Sequence, residues 1–332
     1  MNPFDPLLFL IIVTSLAWTY DFFNGMNDAA NAIATTVSTR ALTPRQAIIL
    51  ARTMNILGAF LTTEVAKTMG KGVVDPSSMD QLVIIVALAG ASGWSALCTF
   101  LGIPISITHA LVGGILGGAI IGRGFAVIRF AGIRKIIIAM ILSPMAGFLG
   151  GFILMIAIFW LLRKALPAKV NRGFRYGQIA SAAFMSLSHG SNDTQNAMGI
   201  ITAALLVGGF IGTFHVPLWV ILGSALFMGL GTSIGGWKVI KTMGMKMVKL
   251  RPSHGFTAEF SSAAVIMIST LLGAPISTTH VISTSIMGVG ATQRLSAVRW
   301  GIAFHIFLTW ILTIPGAALM AIITYLILRL II

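Results

Sequence analysis

Apolar stretches of about 20 residues, each long enough to cross a bilayer, recur along this chain from end to end with only short loops between them. The chain is 57% hydrophobic and only 9% charged, whereas a soluble domain carries about a quarter charged residues to face water. Most of its surface must therefore face lipid or other spans, and the fold class it implies is an all-α, polytopic integral membrane protein. The first apolar run, from residue 7, lacks a basic n-region before it and an A-x-A-like cleavage site, so it reads as a retained span. The net charge of +14 does not indicate nucleic acid, because the basic residues are scattered through short loops in the topogenic pattern of membrane proteins. A single cysteine, Cys98, makes no disulfide framework.

Apolar runs and turn signals divide the chain into a first half, 1–162, a short linker expected in the cytoplasm, 163–176, and a second half, 177–332. The first half reads as a long segment 7–37 interrupted by the polar run Asp21 to Asn31, a span 46–65, a pair 81–101 and 104–122 meeting at a Gly-Ile-Pro turn, and a long segment 136–162. The second half repeats the plan as 177–211 with a polar interruption, 217–237, the pair 256–273 and 275–291, and 301–328. With the linker inside, fourteen Lys and Arg fall in inner loops and six (Lys67, Lys71, Arg123, Arg129, Arg134, Lys135) in outer ones. That bias predicts both termini outside.

Two motifs occur twice, in the same order. Gly25-Met26-Asn27-Asp28-Ala29-Ala30-Asn31-Ala32 returns 165 positions later as Gly190-Ser191-Asn192-Asp193-Thr194-Gln195-Asn196-Ala197. Gly102-Ile103-Pro104-Ile105-Ser106-Ile107-Thr108-His109 returns 171 positions later as Gly273-Ala274-Pro275-Ile276-Ser277-Thr278-Thr279-His280. A shorter echo, Lys67-Thr68-Met69-Gly70 and Lys241-Thr242-Met243-Gly244, carries no weight alone. By the span count the two halves enter the membrane from opposite sides, which is an inverted-topology repeat. Such repeats place substrate and ion sites near the midplane, where interrupted helices meet.

The chemistry of the two motifs differs. A carboxylate at the bilayer centre costs about 2.5–3.5 kcal/mol on insertion scales, so Asp28 and Asp193 need partners or a water-filled cavity. Asn27, Asp28 and Asn31, with Asn192, Asp193 and Asn196, offer hard oxygens that suit Na⁺ better than a soft metal. Each Asp shares a helical face with the Asn three residues on, and a broken helix here is expected to add backbone carbonyls as ligands. The plainer alternative is polar side chains joining helices. In the Pro-Ile-Ser runs, Ser106 and Ser277 lie near expected helix N-termini, whose free N–H groups and dipole favour an anion. Their plainer alternative is a helix cap without a ligand.

Other signals are weaker. Glu64 and Glu259 are open to simple pairing with a basic residue, and His109, His189 and His280 to hydrogen-bonded structural roles. Small-xxx-small spacings such as Gly147/Gly151 and Gly231/Gly235 point to close helix packing. There is no G-x-x-x-x-G-K-[ST] and no H-E-x-x-H, so neither ATP drive nor that metalloprotease chemistry is expected.

At the paired G-x-N-D-x-x-N-A and P-I-S-x-T-H runs, together with Gly255-Phe256-Thr257-Ala258-Glu259, the sequence resembles the inorganic phosphate transporter (PiT) family across both halves. The resemblance implies secondary uptake of phosphate driven by Na⁺, or alternatively H⁺, through alternating access, and an inverted-repeat fold with two re-entrant helical hairpins meeting at the substrate. It places Asn27, Asp28, Asn31, Asn192, Asp193 and Asn196 around the ion and phosphate. It places Ser106, Thr108, Ser277, Thr278 and Thr279 at the hairpin tips around phosphate, with Gln195 nearby. The expected partners are inorganic phosphate, Na⁺, the lipid bilayer and a second copy of the chain in a homodimer, with no nucleic acid and no cofactor beyond the coupling ion; the expected location is the cell membrane. The chain departs from the family where some members carry a Glu in the second span and this one has Asn55, and where many relatives insert a long cytoplasmic domain between the halves. A sulfate or other oxyanion permease of the same architecture is the alternative within transport. An intramembrane aspartyl protease using Asp28 and Asp193 as a dyad is the remote one, since it explains neither the flanking Asn residues nor the Pro-Ile-Ser pair.

Overall fold

The computed structural model describes residues 4–72, 81–128 and 130–331; Arg129, counted above among the outer basic residues, lies outside them. The first half runs α1 (Pro6–Ser38), α2 (Pro44–Gly58), α3 (Glu64–Gly72), α4 (Gln81–Leu101), α5 (Ile107–Arg123) and α6 (Phe130–Leu161). The second half runs α7 (Pro167–Val207), α8 (Leu218–Ile234), α9 (Trp237–Lys241), α10 (Pro252–Leu271), α11 (Thr278–Ala291) and α12 (Trp300–Ile331). Among the described residues four helices, α1, α4, α6 and α12, are long and apolar enough to cross a membrane, and α8 with the segment 237–246 makes a fifth candidate span bent by 63°. The outward faces of α6 and α12 are apolar, with Ile141, Leu149 and Ile153 exposed on one and Phe304, Ile311 and Leu319 on the other.

Several boundaries differ from the sequence reading; among them, residues 238–246, read as part of an inner loop, are helical. The polar runs expected to interrupt α1 and α7 do not break them: both helices run straight through, over 33 and 41 residues. Neither run contains a proline, so nothing in the backbone interrupts the intrahelical bonds. The expected span 46–65 is two helices, because α2 ends at Gly58 and α3 begins at Glu64. Residues 167–176, expected within the linker, form the opening turns of α7, which starts with Pro167 at a position where a missing N–H costs nothing.

The two halves pack on each other reciprocally. Helix α1 lies on α8 while α7 lies on α2, and α5 lies on α12 while α11 lies on α6. Glycines set the closest crossings. A Cβ at Gly25 would sit 2.1 Å from the Met228 carbonyl oxygen, and one at Gly190 would sit 2.2 Å from that of Asn55. A Cβ at Gly58 would meet Leu187 O at 2.2 Å, and one at Gly231 would meet Phe22 O at 1.9 Å. Pro144 and Pro315 fall inside α6 and α12 at equivalent places of the two halves, in the same register as the paired Pro-Ile-Ser runs. This reciprocity is compatible with halves related by inversion across a membrane.

Each half also contributes a helical hairpin, α4–α5 and α10–α11. Both turn through a glycine in the left-handed region, Gly102 at φ 77° and Gly273 at φ 67°, where a Cβ would be strained. The short Lys-Thr-Met-Gly echo has a geometric role here. Thr68 Oγ1 donates to the carbonyl of Gly273 at 2.8 Å, and Thr242 Oγ1, 3.1 Å from Lys238 O of its own segment, also faces the carbonyl of Gly102 at 3.4 Å. Each hairpin tip is therefore held by a threonine from the opposite half.

Alanine at Gly25 or Gly190 must push two helix backbones apart. Each substitution is expected to destabilise the chain by about 1–3 kcal/mol, the usual range for overpacking, and to lower the thermal midpoint measured in detergent. Gly173→Ala, on α7 with nothing within 4 Å, should leave that midpoint unchanged.

Candidate functional site

The unbroken helices α1 and α7 bring the two Asn-Asp runs together in the interior, where Asp28, Asp193 and all four motif asparagines are buried. The hydroxyls that meet the two carboxylates come from the N-terminus of α11. Thr279 Oγ1 donates to Asp28 Oδ1 at 3.0 Å. Thr278 Oγ1 faces both carboxylates, 3.0 Å from Asp193 Oδ2 and 3.4 Å from Asp28 Oδ2. Asn31 Nδ2 donates to the same two hydroxyl oxygens, at 3.3 Å and 3.0 Å. In the mirrored place Asn196 Nδ2 donates to Thr108 Oγ1 at 3.0 Å.

The preceding asparagine of each run anchors a hairpin. Asn27 Nδ2 reaches Thr99 Oγ1 at 2.9 Å and Ile103 O at 3.3 Å, and Asn192 Nδ2 reaches Thr270 Oγ1 at 2.8 Å and Ala274 O at 3.4 Å. These partners correspond across the repeat, Thr99 to Thr270 and Ile103 to Ala274. In all four asparagines the amide N–H₂ is used, while Oδ1 is buried without a protein partner, as is Asp193 Oδ1. Buried acceptors are seldom left unpaired in folded proteins. Oriented, unpaired carbonyl and carboxylate oxygens are the ligand type a hard cation takes.

Ser106 and Ser277 cap α5 and α11, each accepting from the backbone N–H three residues on, of His109 and His280, at 3.2 Å. The caps leave both serine hydroxyl protons available. Pro104 and Pro275 lie two residues before these caps, ahead of the first helical turn. The two tips converge: the His109 and His280 rings are 4.8 Å apart, and His280 stacks on Trp310 at 3.8 Å. One expected site residue is misplaced. Gln195 does not face the tips; its Oε1 accepts from the Ala66 N–H of α3 and its amide donates to Ser191 O, because position 195 lies on the face of α7 that packs on α3.

His189 belongs to the centre. Its Nε2 lies 3.5 Å from Asp28 Oδ2 and 3.5 Å from Asp193 Oδ2, and ligand atoms of the three side chains fall within 4.8 Å of one another. Its Nδ1 lies 3.0 Å from Asn55 Oδ1, an acceptor whose own amide donates to Thr232. The proton therefore sits on Nδ1, and Nε2 presents either a lone pair or a second proton to the carboxylates. The signal was present in the sequence as a histidine four residues before Asp193, one turn away on the same face.

Glu259 forms a separate, closed cluster. It accepts from Thr35, from Thr36 at 2.8 Å, from Gln178 Nε2 at 3.1 Å and from Ser181. Four donors satisfy it without a cation, and it ties α1, α7 and α10 together. The equivalent position of the first half is Leu88, so this knot has no counterpart there. Glu64 is exposed and pairs with Lys67 at 2.7 Å.

The profile of a family described as the phosphate transporter family matches residues 24–321. The chain belongs to this family. It is a multi-pass membrane transporter of phosphate and not an enzyme, which removes the protease alternative. It is 47% identical over 328 residues to a probable low-affinity inorganic phosphate transporter of Bacillus subtilis, covering 98% of both chains. It is 42% identical over 322 residues to a protein of the same description in Rhizobium meliloti, covering 96% of both. A solved structure described as the sodium-dependent phosphate transporter superposes with a TM-score of 0.90 at 28% identity, over 98% of this chain and 100% of that one.

Proposed function

We propose that this chain imports inorganic phosphate by secondary active transport, with Na⁺ as the coupling ion and alternating access as the cycle. The observation that carries the proposal is the shared use of Thr278 and Thr279. A hydroxyl has one proton to donate, and here both threonines direct theirs at Asp28 and Asp193. While they do so they have none for phosphate. A cation bound by the carboxylates and by the unpaired Oδ1 atoms of Asn31 and Asn196 takes over the role of those protons. The hydroxyls then turn to phosphate, joining Ser106, Ser277 and the N–H groups of two helix N-termini. When the cation leaves on the cytoplasmic side, the carboxylates reclaim the hydroxyls and phosphate loses its donors. Cation and anion thus enter and leave together.

The all-oxygen donors support Na⁺, as does the resemblance to a transporter described as sodium-dependent. A second reading, proton coupling, is favoured by one observation: His189 Nε2 lies between the carboxylates, where an imidazolium proton takes the place of the cation. In proteoliposomes an inward Na⁺ gradient should raise initial phosphate uptake about tenfold over K⁺, with sulfate a poor competitor. Asp28→Asn and Asp193→Asn should each abolish that stimulation while remaining monodisperse. Equal uptake in Na⁺ and K⁺, with stimulation by acid outside, would transfer the coupling to the proton.

The proposed setting is the cell membrane with both termini outside, supported by the loop charge bias. A cysteine replacing Arg172 in a Cys98→Ala background should react with impermeant maleimide only from the cytoplasmic face; labelling of intact cells from outside would reverse the orientation.

A further inference from the structure

One buried carboxylate plays no part in the central site. Asp21 lies on α1 two turns before Asp28, is 0% exposed, and has no hydrogen-bond partner on either oxygen. One turn further on, Asn24 is also 0% exposed, with neither amide atom partnered. From α8 the hydroxyl of Ser224 faces the Asp21 carboxylate. It too is fully buried and makes no hydrogen bond of ordinary geometry. Among the described residues the Asp21 carboxylate thus has only the Ser224 hydroxyl beside it, and Asn24 has no protein partner. The helix contact closes at either end of this level: a Cβ at Gly223 would fall 2.2 Å from the Trp18 ring, and one at Gly25 would fall 2.1 Å from Met228 O.

A buried carboxylate requires a counter-charge or a proton. Among the described residues no basic side chain pairs with Asp21, and the charge that acts on it across the interior, that of Asp193, has the same sign. The feature is not a remnant of duplication. The counterpart of Asp21 in the second half is Ser186, whose hydroxyl donates to Ala182 O, and the counterpart of Asn24 is His189. The first half carries a carboxylate at a place where the second half has none.

We propose that Asp21, Asn24 and Ser224 form a second site for a monovalent cation, Na⁺ under the coupling proposed above. The groups available are a carboxylate, a carboxamide oxygen and a hydroxyl, all hard oxygens, with neither sulfur nor imidazole to draw a transition metal. Asp21, Asn24, Asp28, Asn31 and Thr35 follow one another at spacings of three or four, so they form a single stripe along α1. The stripe is about 21 Å long at 1.5 Å per residue, most of a hydrocarbon core of about 30 Å. A cation at Asp21 therefore stands in line with the central site. It adds one charge to each phosphate carried and steepens the dependence of uptake on sodium.

The test is equilibrium binding of ²²Na⁺ to the purified full chain, together with the sodium dependence of phosphate uptake in proteoliposomes. Asp21→Asn should bind one Na⁺ fewer per chain than the wild type, and its Hill coefficient for sodium should fall by about one. Asn24→Ala and Ser224→Ala keep the carboxylate and should raise half-saturating sodium about threefold to tenfold. They decide the matter if Asp21→Asn does not fold, as judged by size-exclusion chromatography. A folded Asp21→Asn with the wild-type sodium count and Hill coefficient overturns the second site, as does unchanged half-saturation in both milder variants. The proposal deepens the sodium reading, and the two fail differently. Loss of sodium-driven uptake only in the Asp28 and Asp193 variants leaves that reading intact and removes this one. A wild type that binds no Na⁺ removes both.

Discussion

Asp28 and Asp193 face each other in the interior with too few protons between them. Thr278 has one hydroxyl proton and two carboxylates within its reach, and Thr279 serves only Asp28. Like charges this close and this far from water repel strongly, since the surrounding medium screens them little. Burial makes each charge costly without a compensating one. A positive partner offsets that cost, whether the His189 imidazolium beside both carboxylates or the proposed cation at the oxygens left unpaired around them. The remaining features of the fold hold this arrangement in place.

Helices α1 and α7 run unbroken, and polar side chains at their centres are met from the side. Hydroxyls of the hairpins receive the Asn amides, and glycines at the helix crossings let backbones approach closely enough for short side chains to reach. The hairpins in turn hang from Asn27 and Asn192 and are latched by Thr68 and Thr242 from the opposite halves. A movement of one half against the other must strain or break these latches. Such a link between the hairpins and the opposite halves is what the proposed alternating access would use.

Much of this was legible in the sequence. Repetition exposed the two motifs, and the rule that buried polar groups need partners marked Asp28, Asp193 and their asparagines before any fold was known. Continuity of α1 and α7 was not legible, because a polar run in an apolar segment looks alike whether the helix breaks or borrows hydroxyls from elsewhere. The roles of His189 and Asn55 depend on α2 crossing α7 at Gly190, a tertiary contact with no local signature. Gln195 shows the converse. Its place inside the motif suggested the site, but a helix has faces, and position 195 lies on the one turned to α3. Thr68 and Thr242 sat in an echo too short to carry weight until the geometry gave it one.

The central claim is that cation and phosphate compete for nothing and help each other, because the cation frees the hydroxyls that phosphate needs. By linkage, sodium must then raise the affinity for phosphate by the same factor as phosphate raises the affinity for sodium. Isothermal titration of phosphate into the purified chain, in sodium and in choline at equal ionic strength, measures that factor directly. Binding about tenfold or more tighter in sodium, with the difference abolished in Asp193→Asn, is the result this account predicts. Equal phosphate affinity in the two buffers would contradict it.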